Sequence, residues 1–301
     1  SVTRNADLTI DEENFDEDSY DYRSYMSSIL KKRDRLAPVR LEMQGTKSSL
    51  AELLASRLGL SESQIFYSNC PLKTNYIFGL NGFDKSLYYD EFTPAYPSYL
   101  AENRSLISQI QAKDVLLFYP YHTMQTFIDL LKEAAVNPNV VSIKMTIYRL
   151  ASNSAVARSL CKAAENGKEV TVLVELRARF DEKNNIEWAK QLEEAGCNVI
   201  YGIENFKCHS KICLITMKNK NSYSYITQIG TGNYNEKTSS MYTDFSIMTA
   251  NREIAADAAL FFKNMLIGEL YGNYSELIVA PSSMRSSIIR LIDAEASRGE
   301  N

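Results

Sequence analysis

The sequence predicts an α/β protein, a sheet covered by helices on both faces and preceded by a smaller α+β segment. Three observations carry that prediction. Between residues 114 and 201 strand-like and helix-spaced runs alternate three times over. Two of the helical runs stop on glycines, Gly167 and Gly196. Beyond residue 201 the alternation gives way to strands joined by a short polar turn. Repeated β-α units imply a largely parallel sheet, and the later strands add a hairpin to it.

Taken in order, TIDEENFDEDSYDY (9–22) is an acidic cluster, read as a solvated loop or the charged first turns of a helix through RSYMSSILKKRD. VRLEMQG (39–45) alternates as a strand does, KSSLAELLASRLG (47–59) has helical spacing and stops at Gly59, and SESQIF (61–66) reads as a capped helix start. From Pro71 to Arg104 the breakers Pro71, Gly79, Gly82, Pro94 and Pro97 predict loops and short helices, and a domain boundary is expected within 95–112. Strands follow at 114–120, 140–150, 169–180 and 197–201, with helices at 123–136, 153–167 and 185–196 between them. The strands SKICLIT and YSYITQIG flank the turn MKNKNS (217–222) as a hairpin. TDFSIMT (243–249) is a further strand, a long helix runs from Arg252 to Leu266, 275–280 reads as one more strand and 282–297 as a closing helix.

Composition excludes several classes. With 45% hydrophobic and 23% charged residues over 301 positions, the chain is globular. No apolar run approaches the roughly 18 residues of a membrane span, and no secretory leader opens the chain, whose start reads as mid-chain. A net charge of −4 argues against a surface built wholly for a polyanion, leaving room for a local basic cleft. Five cysteines without C-x-x-C spacing signal neither a disulfide framework nor zinc, and are read as reduced cytoplasmic thiols. No phosphate loop of the G-x-x-x-x-G-K type occurs, and GTGNYN lacks the third glycine of a dinucleotide fingerprint.

What remains is NFKCHSKICLI (205–215). On a strand, His209 and Lys211 share a face and place a neutral imidazole nucleophile beside a cation. GTGNYNEKT (230–238) follows the next strand, and its small residues with Asn233 let backbone amides approach an anion. Arg149 and Arg179 close two strands of the parallel set, where ligands gather, and their planar forks suit phosphate oxygens. His122, the other histidine, follows the first strand and heads a helix, where a capping or buried role is expected.

DVLLFYPYHTMQTF, IYRLASNS, VTVLVELRARFDEKNNIEWAKQLEEAG, KCHSKICLI and GTGNYNEKTSSMYTDFSIMTA together closely resemble the long bacterial polyphosphate kinases, whose catalytic half is built from two phospholipase D-like domains. VTRNADL and APVRLEMQG are similar to the family's middle domain. The resemblance implies a phospholipase D-like mixed sheet, with 1–105 the end of the middle domain, 106–275 the first catalytic domain and 276–301 the start of a second. It implies reversible transfer of the ATP γ-phosphate to inorganic polyphosphate through a phosphohistidine at His209, with Lys211 as companion and Tyr242 as a nucleotide contact. Arg149 and Arg179 match the arginines assigned to the magnesium and phosphate site. A guanidinium has no lone pair for a metal, so they are read as holding ATP oxygens that carry Mg²⁺. Asn233 is read as orienting a phosphoryl oxygen or the imidazole.

The expected partners are therefore ATP, ADP and polyphosphate, in a cytoplasmic homo-oligomer that does not bind nucleic acid and in its full form could touch a membrane peripherally. Two departures bear on this. Thr216 stands where a phospholipase D-type motif carries aspartate, which weakens a diesterase or nuclease reading, and no histidine follows His209 to supply a second half-site. The 301-residue piece is accordingly expected to be inactive by itself. A polyanion-binding module without chemistry is the remaining alternative.

Overall fold

Alternation in the first unit, residues 1–92, buries one side of a three-stranded sheet. The structure, a computed structural model, describes residues 1–5, 22–33, 35–178, 181–203 and 206–299. The acidic cluster up to residue 21 and the arginine at 179 thus lie outside the described residues. In β2 (Pro38–Gln44) Leu41 is fully buried, and with Met43 it packs on Ala55 and Leu54 of α2 (Ser49–Leu58). Helix α1 spans Tyr22–Arg33.

Ser48 starts α2 by accepting from the Ala51 N–H, and Gly59, at φ 67°, ends it by donating to the Ala55 and Ser56 carbonyls. β1 (Val2–Arg4) joins β2 antiparallel, and β3 (Ile65–Ser68) joins it in parallel. The helix expected from SESQIF is a correction. Ser61 and Gln64 close a capping box around a single 3₁₀ turn, and the β-branched and aromatic residues that follow pair as β3.

The second unit runs from residue 93, earlier than the expected boundary, because Ala95 bonds to Tyr121 and Thr123. Its strands are β4 (Val115–Tyr119), β5 (Val140–Ile147), β6 (Glu169–Val174), β7 (Asn198–Ile200), β8 (Ile212–Asn219), β9 (Ser222–Gly230) and β10 (Asp244–Thr249). They lie in the order β4-β10-β9-β8-β5-β6-β7. Only β5 with β6 and β6 with β7 pair in parallel in this sheet, so the largely parallel sheet read from the rhythm is mixed, as the resemblance implied. The physical reason is the β8–β9 hairpin, which inserts antiparallel against β5 and separates it from β4.

Helices α3 (Leu106–Ala112), α4 (Gln125–Val136), α5 (Ala155–Glu165) and α6 (Glu182–Glu194) form one row, each packed on the next. A short α7 (Glu236–Ser239) follows β9. The long α8 (Arg252–Leu266) lays Ala255, Ala258, Phe261 and Phe262 on Ile212 and Leu214 in a cluster that includes none of α3 to α6. α9 spans Met284–Ala296.

The strand expected at 275–280 is absent. The buried Asp257 carboxylate of α8 accepts from the backbone N–H groups of Ser275, Glu276 and Leu277 at 2.6–3.1 Å, so these donors are taken before a ladder can use them. Burial alone would raise the Asp257 pKa, but the three bonds win and hold it below the usual range. His122 is half-buried and does not cap α4, the helix it precedes; its Nδ1 accepts from the Phe118 N–H of β4 at 3.1 Å and its ring stands edge-on to Tyr99.

Candidate functional site

Pairing directions bring the carboxyl ends of β4, β5, β6, β7 and β9 to one edge, together with the amino ends of β8 and β10. The candidate residues stand along it. Tyr148 and Arg149 follow β5, Glu175 and Arg177 follow β6, His209 and Lys211 precede β8, the Gly230–Asn233 turn follows β9, and Asp244 opens β10.

His209 is not on a strand, since β8 begins at Ile212, yet its side chain meets that of Lys211 as strand spacing predicts. Lys211 Nζ lies 3.1 Å from His209 Nδ1 and donates to the His209 carbonyl at 2.6 Å. The Tyr148 ring stands perpendicular to the imidazole at 4.5 Å and also lies 5.5 Å from Lys211 Nζ and 5.5 Å from the Arg149 guanidinium.

Lys211 is only 5% exposed, and burial pushes its pKa down to about 8, with Asp244 opposing and Arg149 adding to the effect. Partial burial, Lys211 and Arg149 hold the His209 pKa below its ordinary 6.5, which keeps the imidazole neutral at physiological pH. An ammonium has donors alone, so the charged Lys211 meets the imidazole lone pair at Nδ1.

Arg149 lies beyond β5, in a loop rather than on a strand, and forms an ion pair with Asp181, whose Oδ2 lies 2.8 Å from its Nε, a partner the sequence did not suggest. The β6 strand stops at Val174, five residues before the position of Arg179, whose side chain lies outside the described residues. In the turn after β9, Thr231 Oγ1 donates to Asp244 Oδ1 at 2.7 Å and accepts from the Phe245 N–H. Gly232 must be glycine because a Cβ there would lie 2.4 Å from Asp244 Oδ2 and 2.9 Å from its Cβ.

Asn233 Oδ1 is buried with no protein partner, an acceptor in want of a donor. Tyr242 stands 60% exposed just before β10. A cavity of about 700 Å³ opens beside His209 and Lys211, walled by Ile229, Phe261, Met265 and Leu277. Among the described residues no three His, Cys, Asp or Glu side chains gather as a metal cluster.

Sequence reasoning passed over Tyr148, Glu175 and Arg177. The signal for the last two was the pair of charges in ELR directly after an apolar strand.

Fold and site together define a mixed α/β domain that presents an imidazole and a lysine at the carboxyl edge of its sheet. Residues 105–269 match the family model described as polyphosphate kinase C-terminal domain 1, and residues 1–80 match the polyphosphate kinase middle domain. The chain belongs to the polyphosphate kinase family. It is 40% identical to a polyphosphate kinase of Staphylococcus epidermidis over 98% of this chain and 40% of that protein. It is 41% identical to that of Exiguobacterium sibiricum over 98% of this chain and 41% of the relative. The crystal structure of polyphosphate kinase from Porphyromonas gingivalis superposes with a TM-score of 0.75 at 30% identity, over 88% of this chain and 41% of that one. The chain therefore spans about two-fifths of the length of these relatives. No helix among the described residues is long and apolar enough to cross a membrane.

Proposed function

We propose that this chain carries the nucleophile-bearing half-site of an ATP:polyphosphate phosphotransferase, with His209 as the phosphoryl acceptor. The observation that carries the reading is the His209–Lys211 contact of 3.1 Å at the sheet edge, in a chain of this family. A phosphate oxygen entering the site draws the Lys211 ammonium off Nδ1 and uncovers the imidazole lone pair. That lone pair forms the N–P bond to the γ-phosphorus as the P–O bond to ADP breaks, and ADP departs with the electron pair.

Arg149 and Lys211 hold the charge spreading over the phosphoryl oxygens, with Arg179 expected to join them. A terminal oxygen of polyphosphate then attacks the same phosphorus and returns the lone pair to His209. No general base is needed, because the acceptor is already an anion. Asn233 suits the role of orienting the imidazole or a phosphoryl group, since its buried Oδ1 is unsatisfied. Tyr242 is proposed to contact the nucleotide. Mg²⁺ belongs to this proposal as part of the MgATP substrate, because Arg149 offers only donors to phosphate oxygens. A cytoplasmic homo-oligomer at the relatives' full length completes the reading.

The test is incubation of the full-length enzyme with γ-labelled ATP, followed by mapping of an acid-labile, alkali-stable label. The expected result is a label on His209. Polyphosphate synthesis by an enzyme that never acquires it would overturn the phosphohistidine, and His209-dependent diester cleavage would replace kinase with diesterase.

A further inference from the structure

We infer that Glu175 and Arg177 are positioning residues for His209, a carboxylate–guanidinium pair that sets the course of the chain entering β8. The inference rests on His209 being the nucleophile. Glu175 is 1% exposed, and a carboxylate so buried is tolerated only when its oxygens are engaged. One oxygen accepts from the Arg177 N–H at 2.8 Å, and the other from the Cys208 N–H at 2.9 Å. The second bond crosses from the end of β6 to the residue immediately before the imidazole.

Arg177 extends the reach of the pair. Its Nε lies 3.6 Å from Glu175 Oε1, while Nη2 donates to the carbonyls of Ile203, at 3.4 Å, and Phe206. One ion pair thus grips the backbone at residues 203, 206 and 208. Its root is fixed too, because the fully buried Asn185 donates to the carbonyls of both Glu175, at 2.9 Å, and Tyr148, at 2.8 Å. The grip on the nucleophile's segment and the ring standing against the imidazole are therefore anchored at one point. A pair serving stability alone could spend its bonds within its own strand end, whereas this one spends them on the segment that delivers His209.

Nucleophile placement is a steep function of position, so a shift of about 1 Å costs on the order of a hundredfold. In the full-length enzyme, Glu175→Gln and Arg177→Met should slow His209 labelling by γ-labelled ATP, and lower kcat, by about 10- to 100-fold. The KM for ATP should stay within about twofold, because Arg149 and Lys211 are untouched. Arg177→Lys should recover part of the rate, since an ammonium can reach one carbonyl but lacks the fork. Thermal melts accompany each variant, and if Glu175→Gln does not fold, the two Arg177 variants decide. Labelling and kcat at wild-type levels would overturn the positioning role. So would losses of kcat that track lost stability with no recovery by Arg177→Lys. A wild-type enzyme that carries no label on His209 would overturn the nucleophile assignment itself, and the positioning role with it.

Discussion

The two halves of the seven-stranded sheet present their loops at the same edge but hold them by different means. In the parallel half, the loop carrying Arg149 is held from a distance by α6. Asn185 bonds the Tyr148 carbonyl at 2.8 Å, Asn184 that of Leu150 at 2.9 Å, and Trp188 that of Ala151 at 3.0 Å. In the antiparallel half the turn after β9 closes on itself. Thr231 bridges Asp244 and Phe245, and Asn235 accepts from Lys237 and Thr238 at 3.1 Å. Glu236 joins the halves by accepting at 2.7 Å from the Ala155 N–H at the head of α5. Damage to the parallel half should therefore spread through the fold, while damage to the antiparallel half should stay at the site.

The sharpest break is His209→Ala, expected to cut phosphotransfer by the full-length enzyme about a thousandfold or more while leaving the circular dichroism spectrum unchanged. Retained turnover would remove the chemistry from the antiparallel half. Asn185→Ala tests the other side. Two buried carbonyls lose their donor, so urea unfolding should show a loss of about 2–3 kcal/mol. Gly232→Ala should displace the Asp244 side chain and show as weakened ATP binding, with urea unfolding changed by less than in Asn185→Ala.

The pH profile comes next. kcat/KM should rise as His209 deprotonates below 6.5 and fall about tenfold per unit once Lys211 discharges above about 8. Lys211→Arg should carry the falling limb beyond the measurable range, and a limb that stays in place would assign it to another group. Asp181→Asn is the mildest, because its partner Arg149 is 37% exposed on its side chain. A stability change below about 1 kcal/mol is expected, together with a changed KM for ATP.

Helices with clean caps were legible in the sequence. Arg252–Leu266 and the stop at Gly59 follow from local chemistry, because Asn251 and Gly59 supply the missing partners of the helix ends. The β8–β9 hairpin was visible as two strand-like runs around a polar turn, but its place between β5 and β10 was not, since strand order depends on long-range pairing. His209 and Lys211 could be paired by spacing alone. Neither the Tyr148 ring nor the Asp181 carboxylate could be, because each arrives from a separate loop. The aliphatic run LIVA promised a strand until Asp257, some twenty residues earlier, competed for its first donors.

That competition has a consequence for how the chain behaves among copies of itself. Leu277, Ile278 and Val279 form a short, uncharged, strand-prone stretch, the kind that recruits a neighbour by backbone pairing. With the amides of Ser275, Glu276 and Leu277 already committed to one carboxylate, these donors are not free for a passing strand. Asp257 thus withholds three backbone donors from pairing between copies, and does so from the helix beneath instead of from within the segment.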